Sequence, residues 1–229
     1  MKVNSPFITK LHFCFQTETE LYMILDYCPG NNLAYHVSRK VINEFDVKLY
    51  ICEIILGLYH LYELGFMFKN LSLKNVMICS DGHIKLADLC LDKEGEKSLL
   101  DEDKAYVNED MVSWRGKGKS ENLFEIGIMM YEMLTGTRPL FVKEGKDAQR
   151  KVVLFDFVKE NMKDFLMGVL NDNPRQRIGV DVNKPIKTHK YFEDINWNRI
   201  KHKEINPIYN LYDIKKNDLK RNHKQLFSN

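Results

Sequence analysis

The chain has 229 residues, 44% hydrophobic and 29% charged, which is enough apolar material for one sizeable core and the profile of a globular protein. Its formal net charge of +2 and pI near 8.1 are too mild to make nucleic acid or a membrane surface the main partner. No run approaches the ~20 apolar residues of a membrane span and the opening Met1-Lys2-Val3-Asn4-Ser5-Pro6 has no signal-like apolar stretch, so the expected location is cytoplasmic or nuclear.

In chain order, Leu11, Phe13 and Phe15 alternate with polar positions, and the polar Thr17-Glu18-Thr19-Glu20 separates them from the apolar run 21–25. This predicts a β-hairpin with strands over residues 7–15 and 21–25. Between 45 and 64, Tyr50, Ile54, Leu58 and Leu61 recur at helical spacing before Gly65, predicting a helix that crosses the core. Val76 with Ile78 and Ile84 with Leu86 flank Ser80-Asp81-Gly82-His83, predicting a second, smaller hairpin. Residues 122–134 are nearly all apolar and stop at Thr135-Gly136, with Pro139 beyond, which predicts a buried helix. A third helix is expected over 159–170, closing at Asn171-Asp172-Asn173-Pro174. After Trp197 the chain turns basic, through Lys215, Lys216, Lys220 and Arg221, and this tail is expected to be extended or partly disordered. Five cysteines, Cys14, Cys28, Cys52, Cys79 and Cys90, are odd in number, form no CxxC pair and lie in apolar segments, so they are expected to be reduced core residues.

A helix, then Phe68-Lys69-Asn70-Leu71-Ser72-Leu73-Lys74-Asn75, then a hairpin ending Leu86-Ala87-Asp88-Leu89-Cys90 resembles the catalytic loop and metal-binding strand of eukaryotic protein kinases. On that likeness Lys69 falls on the family's loop arginine, Asn70 on the catalytic aspartate, Ser72 on the loop lysine, and Asn75 and Asp88 on the two metal ligands. Ser5-Pro6-Phe7-Ile8 and the run from Leu21 to Asp26-Tyr27-Cys28-Pro29-Gly30 resemble the strand pair leading to the kinase hinge. Leu25 then stands at the gatekeeper, and Leu25, Asp26 and Cys28 at the nucleotide-binding hinge. Tyr106-Val107-Asn108-Glu109-Asp110 resembles the end of the activation segment, with Asp110 pairing Arg177. Asn122 to Gly127 resembles the D-x-W-x-x-G helix, and His189-Lys190-Tyr191-Phe192 with Asp194-Ile195-Asn196-Trp197 is similar to the close of AGC-type kinases.

The resemblance implies an α+β, protein kinase-like fold, mainly the helical C-lobe with a remnant hairpin of the N-lobe. Its expected parts are an N-lobe hairpin over 1–25, a C-lobe over 26–197 and a basic tail over 198–229. ATP and Mg²⁺ are the cofactors implied, but the departures put their binding in question. Asn70 cannot take up a proton at neutral pH, and Ser72 brings a hydroxyl where a positive charge should meet the phosphoryl group. No G-x-G-x-x-G occurs in the 229 residues, and no strand lysine stands ahead of Ser5. Gly30-Asn31-Asn32-Leu33 stands where AGC kinases carry an acidic residue, here Asn32. The leading expectation is a catalytically inactive pseudokinase serving as a binding or regulatory module. The alternatives are a Ser/Thr kinase whose ATP-binding part is missing from this chain, and a product without selected function. The apolar hairpin, lacking sheet neighbours, is expected to be covered by a protein partner or by self-association.

Overall fold

The computed structural model describes residues 3–39, 42–87, 91–93, 111–142, 151–154, 158–181 and 183–208. Two strands, β1 (Leu11–Gln16) and β2 (Leu21–Leu25), open the chain as an antiparallel hairpin with an irregularity in register between Leu11 and Phe13. A short helix α1 (Leu33–Val37) and the long α2 (Glu44–Glu63) follow. Next come β3 (Phe66–Phe68), a 3₁₀ turn at Leu73–Asn75, β4 (Val76–Ile78), β5 (Ile84–Leu86) and β6 (Leu91–Lys93). Helix α3 (Met111–Thr135), the strands β7 (Phe141–Val142) and β8 (Lys151–Val152), α4 (Glu160–Val169), short 3₁₀ turns at Pro174–Gln176, Ile186–Thr188 and Lys190–Phe192, and α5 (Trp197–Lys201) follow. Among the described residues the sheets are four antiparallel pairs, β1–β2, β3–β6, β4–β5 and β7–β8. The fold is α+β with small sheets around a helical core.

Helix α2 is the centre of that core. Asn43 caps it by accepting the Asp46 N–H at 2.9 Å, and Gly65 at φ 77° ends it. Val47, Leu49, Tyr50, Ile51, Cys52, Ile54, Ile55, Leu58 and Leu61 are all buried, so apolar side chains cover more than one face, as expected of a helix wrapped by neighbours. Helix α3 supplies Ile126, Met129, Met130 and Met133 to the same core, and α4 adds Phe165, Leu166 and Val169. Phe165, Tyr191, Phe192 and Trp197 form a continuous run of ring contacts with centroids 4.9–5.3 Å apart.

Four expectations are corrected. The first strand begins at Leu11 rather than Phe7, because Phe7 and Ile8, 1% and 2% exposed, turn into the helical core. There they bond to β5: Leu86 N–H donates to the Phe7 carbonyl at 2.8 Å, and Thr9 N–H to the Leu86 carbonyl at 2.9 Å. The helix expected at 122 starts at Met111, since its polar first half carries no apolar period but also no proline to stop it. Trp197–Lys201, the start of the stretch expected to be extended or partly disordered, forms the helix α5, capped by Asn196 and held by the buried Ile200. Cys14 is exposed, whereas Cys28, Cys52 and Cys79 are buried. The expected Asp110–Arg177 pair, Cys90 and the basic residues of 209–229 lie outside the described residues.

Every residue of β1 and β2 is exposed, including Leu11, Phe13, Phe15 and all of β2. What fixes the hairpin to the core is its base. Asp26 N–H donates to the Lys10 carbonyl at 3.0 Å, and the Asp26 carboxylate reaches Lys85 of β5.

Candidate functional site

The loop between β3 and β4 is pinned by its apolar residues and left open at its polar ones. Phe68, Leu71 and Leu73 are buried at 2–4% exposure, so they anchor the chain, while Asn70 and Lys74 face solvent. Asn70 adopts φ 56°, in the left-handed region that asparagine tolerates better than most residues. The turn then closes through Asn75 N–H to the Ser72 carbonyl at 3.0 Å. The Asn75 side-chain amide donates to the Asn70 carbonyl at 2.8 Å, which leaves the Asn75 Oδ1 as the free acceptor of that group. Ala87, immediately before Asp88, donates its N–H to the Asn75 carbonyl at 2.8 Å. Asn70, Ser72 and Asn75 are thus brought together at the foot of the β4–β5 hairpin. Asp88 lies outside the described residues.

Chemically this loop offers hydroxyl, amide and carbonyl oxygens. Asn70 and Asn75 are neutral at every accessible pH, so neither can act as a general base. An amide oxygen such as Asn75 Oδ1 is a hard donor suited to Mg²⁺. Lys69 is half-buried and Lys74 exposed.

The second part of the site is the stretch from β2 to α1. Leu25 ends β2 opposite Leu11 and is 37% exposed. The Asp26 carboxylate is held by three donors, Lys85 Nζ at 2.5 Å, Lys10 N–H at 3.0 Å and His12 Nε2 at 2.8 Å. Partial burial opposes ionisation of Asp26, but those hydrogen bonds and the Lys85 charge outweigh it and hold the carboxyl well below the usual carboxylate range. Cys28 is buried, and among the described residues its backbone N–H and C=O enter no hydrogen bond. Asn32 spends its side chain as the α1 cap, accepting Tyr35 N–H at 2.9 Å.

Because the Asp26 pKa is depressed in the fold, its contribution to stability is complete above the unfolded value of 3.8 and is lost as pH falls through the folded value. Asp26→Asn is expected to cost roughly 1–2 kcal/mol at neutral pH, the range of a hydrogen-bonded charge that keeps some solvent. The loss should shrink below pH 4 in urea melts taken across pH. A constant loss across that range would mean that the three donors do not act on the ionised carboxylate.

Two features of this region were missed by sequence reasoning. Glu53 of α2 and His83 of the β4–β5 turn form a fully buried contact, Nδ1 to Oε1 2.5 Å, while the other Glu53 oxygen accepts Ile84 N–H at 2.9 Å. Burial pushes the Glu53 carboxyl up, against the hydrogen bonds from His83 and Ile84. His36, also buried, contacts the Gly30 carbonyl through Nε2 at 2.5 Å. A polar residue inside an apolar helix at Glu53 was the available signal for the first; nothing in the sequence pointed to the second.

Arg177, expected to pair with Asp110, is half-buried; it donates to the Asn171 carbonyl at 2.9 Å and to the Ser120 carbonyl at 3.0 Å, and lies over the Phe124 ring. It ties α3 to the turn after α4. Among the described residues no group of three or more His, Cys, Asp or Glu could hold a metal, and no helix is long and apolar enough to cross a membrane.

The protein kinase domain family model matches residues 1–192. Ribosomal protein S6 kinase alpha-3 of Homo sapiens is 37% identical over 225 residues, and ribosomal protein S6 kinase alpha-2 of Homo sapiens is 37% identical over 228. Ribosomal protein S6 kinase 2 alpha of Gallus gallus is 35% identical over 223 residues. The human matches cover 91% of this chain, and the chain spans 30% of their length.

Proposed function

The chain belongs to the protein kinase domain family, and from that premise we propose that it is an AGC-type kinase fold used as a binding or regulatory module rather than as a phosphotransferase. The observation that carries this reading is Asn70. Phosphoryl transfer is catalysed by positioning and charge neutralisation, with a carboxylate to orient the substrate hydroxyl and accept its proton. By resemblance that place falls to Asn70, an exposed amide, and the place of the loop cation to Ser72. The likeness to ribosomal protein S6 kinases supports the AGC assignment and a Ser/Thr-specific ancestry.

Asn75 favours a second reading, a weak kinase. Its amide NH2 is turned to the Asn70 carbonyl, which leaves its oxygen as the acceptor of that group, and by resemblance Asn75 and Asp88 would be the two metal ligands. Bound ATP and Mg²⁺ would supply the phosphoryl group and its charge neutralisation. Leu25, Asp26 and Cys28 would line the base of the nucleotide, with the Cys28 backbone as its hydrogen-bonding edge. The module reading also assigns protein association to the β1–β2 hairpin, whose apolar side chains are exposed on both faces, and a cytoplasmic or nuclear location.

Asn70→Asp separates the two readings. Catalytic groups act as a set, and restoring one without the loop cation should leave transfer of the ATP γ-phosphate to peptides at the level of a metal-free control. A clear gain of transfer from that single change would show that the remaining groups are supplied by another route, and transfer by the unaltered chain above the metal-free control would establish the weak-kinase reading.

A further inference from the structure

Cys28 lies between β2 and α1, and Cys79 closes β4 at the turn into β5. Their sulfurs are 3.7 Å apart, in direct contact, and each residue is 9% exposed. The backbone around them is already cross-tied. Gly30 N–H donates to the Ile78 carbonyl and Ile78 N–H to the Asn31 carbonyl, both at 2.9 Å, and Asn32 bridges Met77. A Cβ on Gly30 would stand 2.6 Å from the Ile78 carbonyl oxygen, so the two segments are as close as backbones can come. Cys79 is fixed further, its N–H donating to the His83 carbonyl at 2.7 Å and its carbonyl accepting Gly82 N–H at 3.0 Å.

We propose that Cys28 and Cys79 are a dithiol site for two-electron oxidation by a peroxide, closing to a disulfide that ties the β2–α1 stretch to the β4–β5 hairpin. The inference rests on this geometry and not on the reading of the loop at Asn70. A disulfide needs its sulfurs ~2.05 Å apart, so each sulfur has to move by less than about 1 Å, which side-chain rotation supplies without parting the backbones. The other cysteines are placed differently: Cys14 is exposed on β1, Cys52 is fully buried in α2, and Cys90 lies outside the described residues.

The two thiols have distinct roles. Burial, and then the neighbouring Cys28, push the Cys79 thiol up to about 12, so Cys79 keeps its proton, and either sulfur can donate in the contact between them. The Lys85 ammonium stands within electrostatic reach of both sulfurs. Cys28, deprotonated as it attacks, forms a sulfur–oxygen bond with hydrogen peroxide while the oxygen–oxygen bond breaks and water leaves, giving a sulfenic acid. Cys79 then attacks the Cys28 sulfur, the sulfur–oxygen bond breaks, and the hydroxyl leaves as a second water with the Cys79 proton. In sum, two thiols and one hydrogen peroxide give one disulfide and two waters.

The test treats the full chain carrying Cys14→Ser with hydrogen peroxide, blocks remaining thiols with an alkylating reagent and maps peptides without reduction. Cys28 and Cys79 are expected to be lost together as alkylatable thiols, to appear as one cross-linked peptide at every protein concentration, and to return together on reduction with dithiothreitol. The oxidised chain should melt at a higher temperature than the reduced one. Adding Cys79→Ser should stop the reaction at Cys28, giving a sulfenic acid trapped by dimedone that the Cys79-containing chain does not yield. Oxidation of one cysteine without the other in the Cys79-containing chain, pairing of either with Cys52 or Cys90, or both thiols remaining alkylatable would overturn the proposal.

Discussion

Glu53→Ala is expected to destabilise the fold by about 3–5 kcal/mol, the cost of breaking a buried charged or hydrogen-bonded pair from one side. Glu53 is 0% exposed, and its two oxygens serve the His83 ring and the Ile84 N–H, which together set the β4–β5 hairpin on α2. Truncation strands both partners without water and opens a cavity beneath the turn. Domains of this kind have ~5–15 kcal/mol in total, so roughly a fifth or more of the stability is at stake. Denaturant melts of the variant would measure it. Glu53→Gln keeps the shape and an acceptor for Ile84, and should recover most of the loss. A change under ~1 kcal/mol for Glu53→Ala would mean that the hairpin is seated by its apolar residues alone.

Gly30→Ala is the second large effect expected. A methyl at position 30 meets Ile78 at three atoms, the carbonyl oxygen at 2.6 Å, Cβ at 2.7 Å and Cγ2 at 2.9 Å, and the first of these is backbone. A flexible side chain could swing away; a carbonyl in the middle of a hydrogen-bonded crossing cannot. The β2–α1 stretch must therefore part from β4, losing Gly30 N–H to Ile78 and Ile78 N–H to Asn31. Overpacking of this kind costs about 1–3 kcal/mol. Hydrogen exchange should show the Gly30 and Ile78 amides losing protection ahead of those in α2. Equal protection in the variant would place slack in the crossing that the geometry does not contain.

Much of the framework was legible in the sequence because it follows from spacing. The apolar period of α2 with Gly65 at its end, and the Asp81-Gly82-His83 turn between two short apolar pairs, translate directly into elements. The order of loop, turn and hairpin sets Asn70, Ser72 and Asn75 in one short loop. What was not legible depends on contacts between segments far apart in sequence. Phe7 and Ile8 read as strand residues like Phe13, but a pairing with β5, 77 positions away for Thr9 and Leu86, removes them from the hairpin. The polar first half of α3 shows no period, and Gly118 within it lies against Met67 of β3, where a Cβ would come within 2.7 Å of the methionine methyl. Cys14 and Cys28 sit in similar apolar runs; only the tertiary structure separates an exposed thiol from one touching Cys79.

The central claim, that a kinase fold is present without phosphotransferase chemistry, meets its most direct test in transfer of the ATP γ-phosphate. The measurement uses the protein as the cell makes it, including whatever precedes and follows these residues, with Mg²⁺ and a panel of serine and threonine peptides. With Asn70 and Ser72 in the loop, transfer should not exceed that of a metal-free control; turnover of even ~1 s⁻¹, the low end for kinases, would contradict the account.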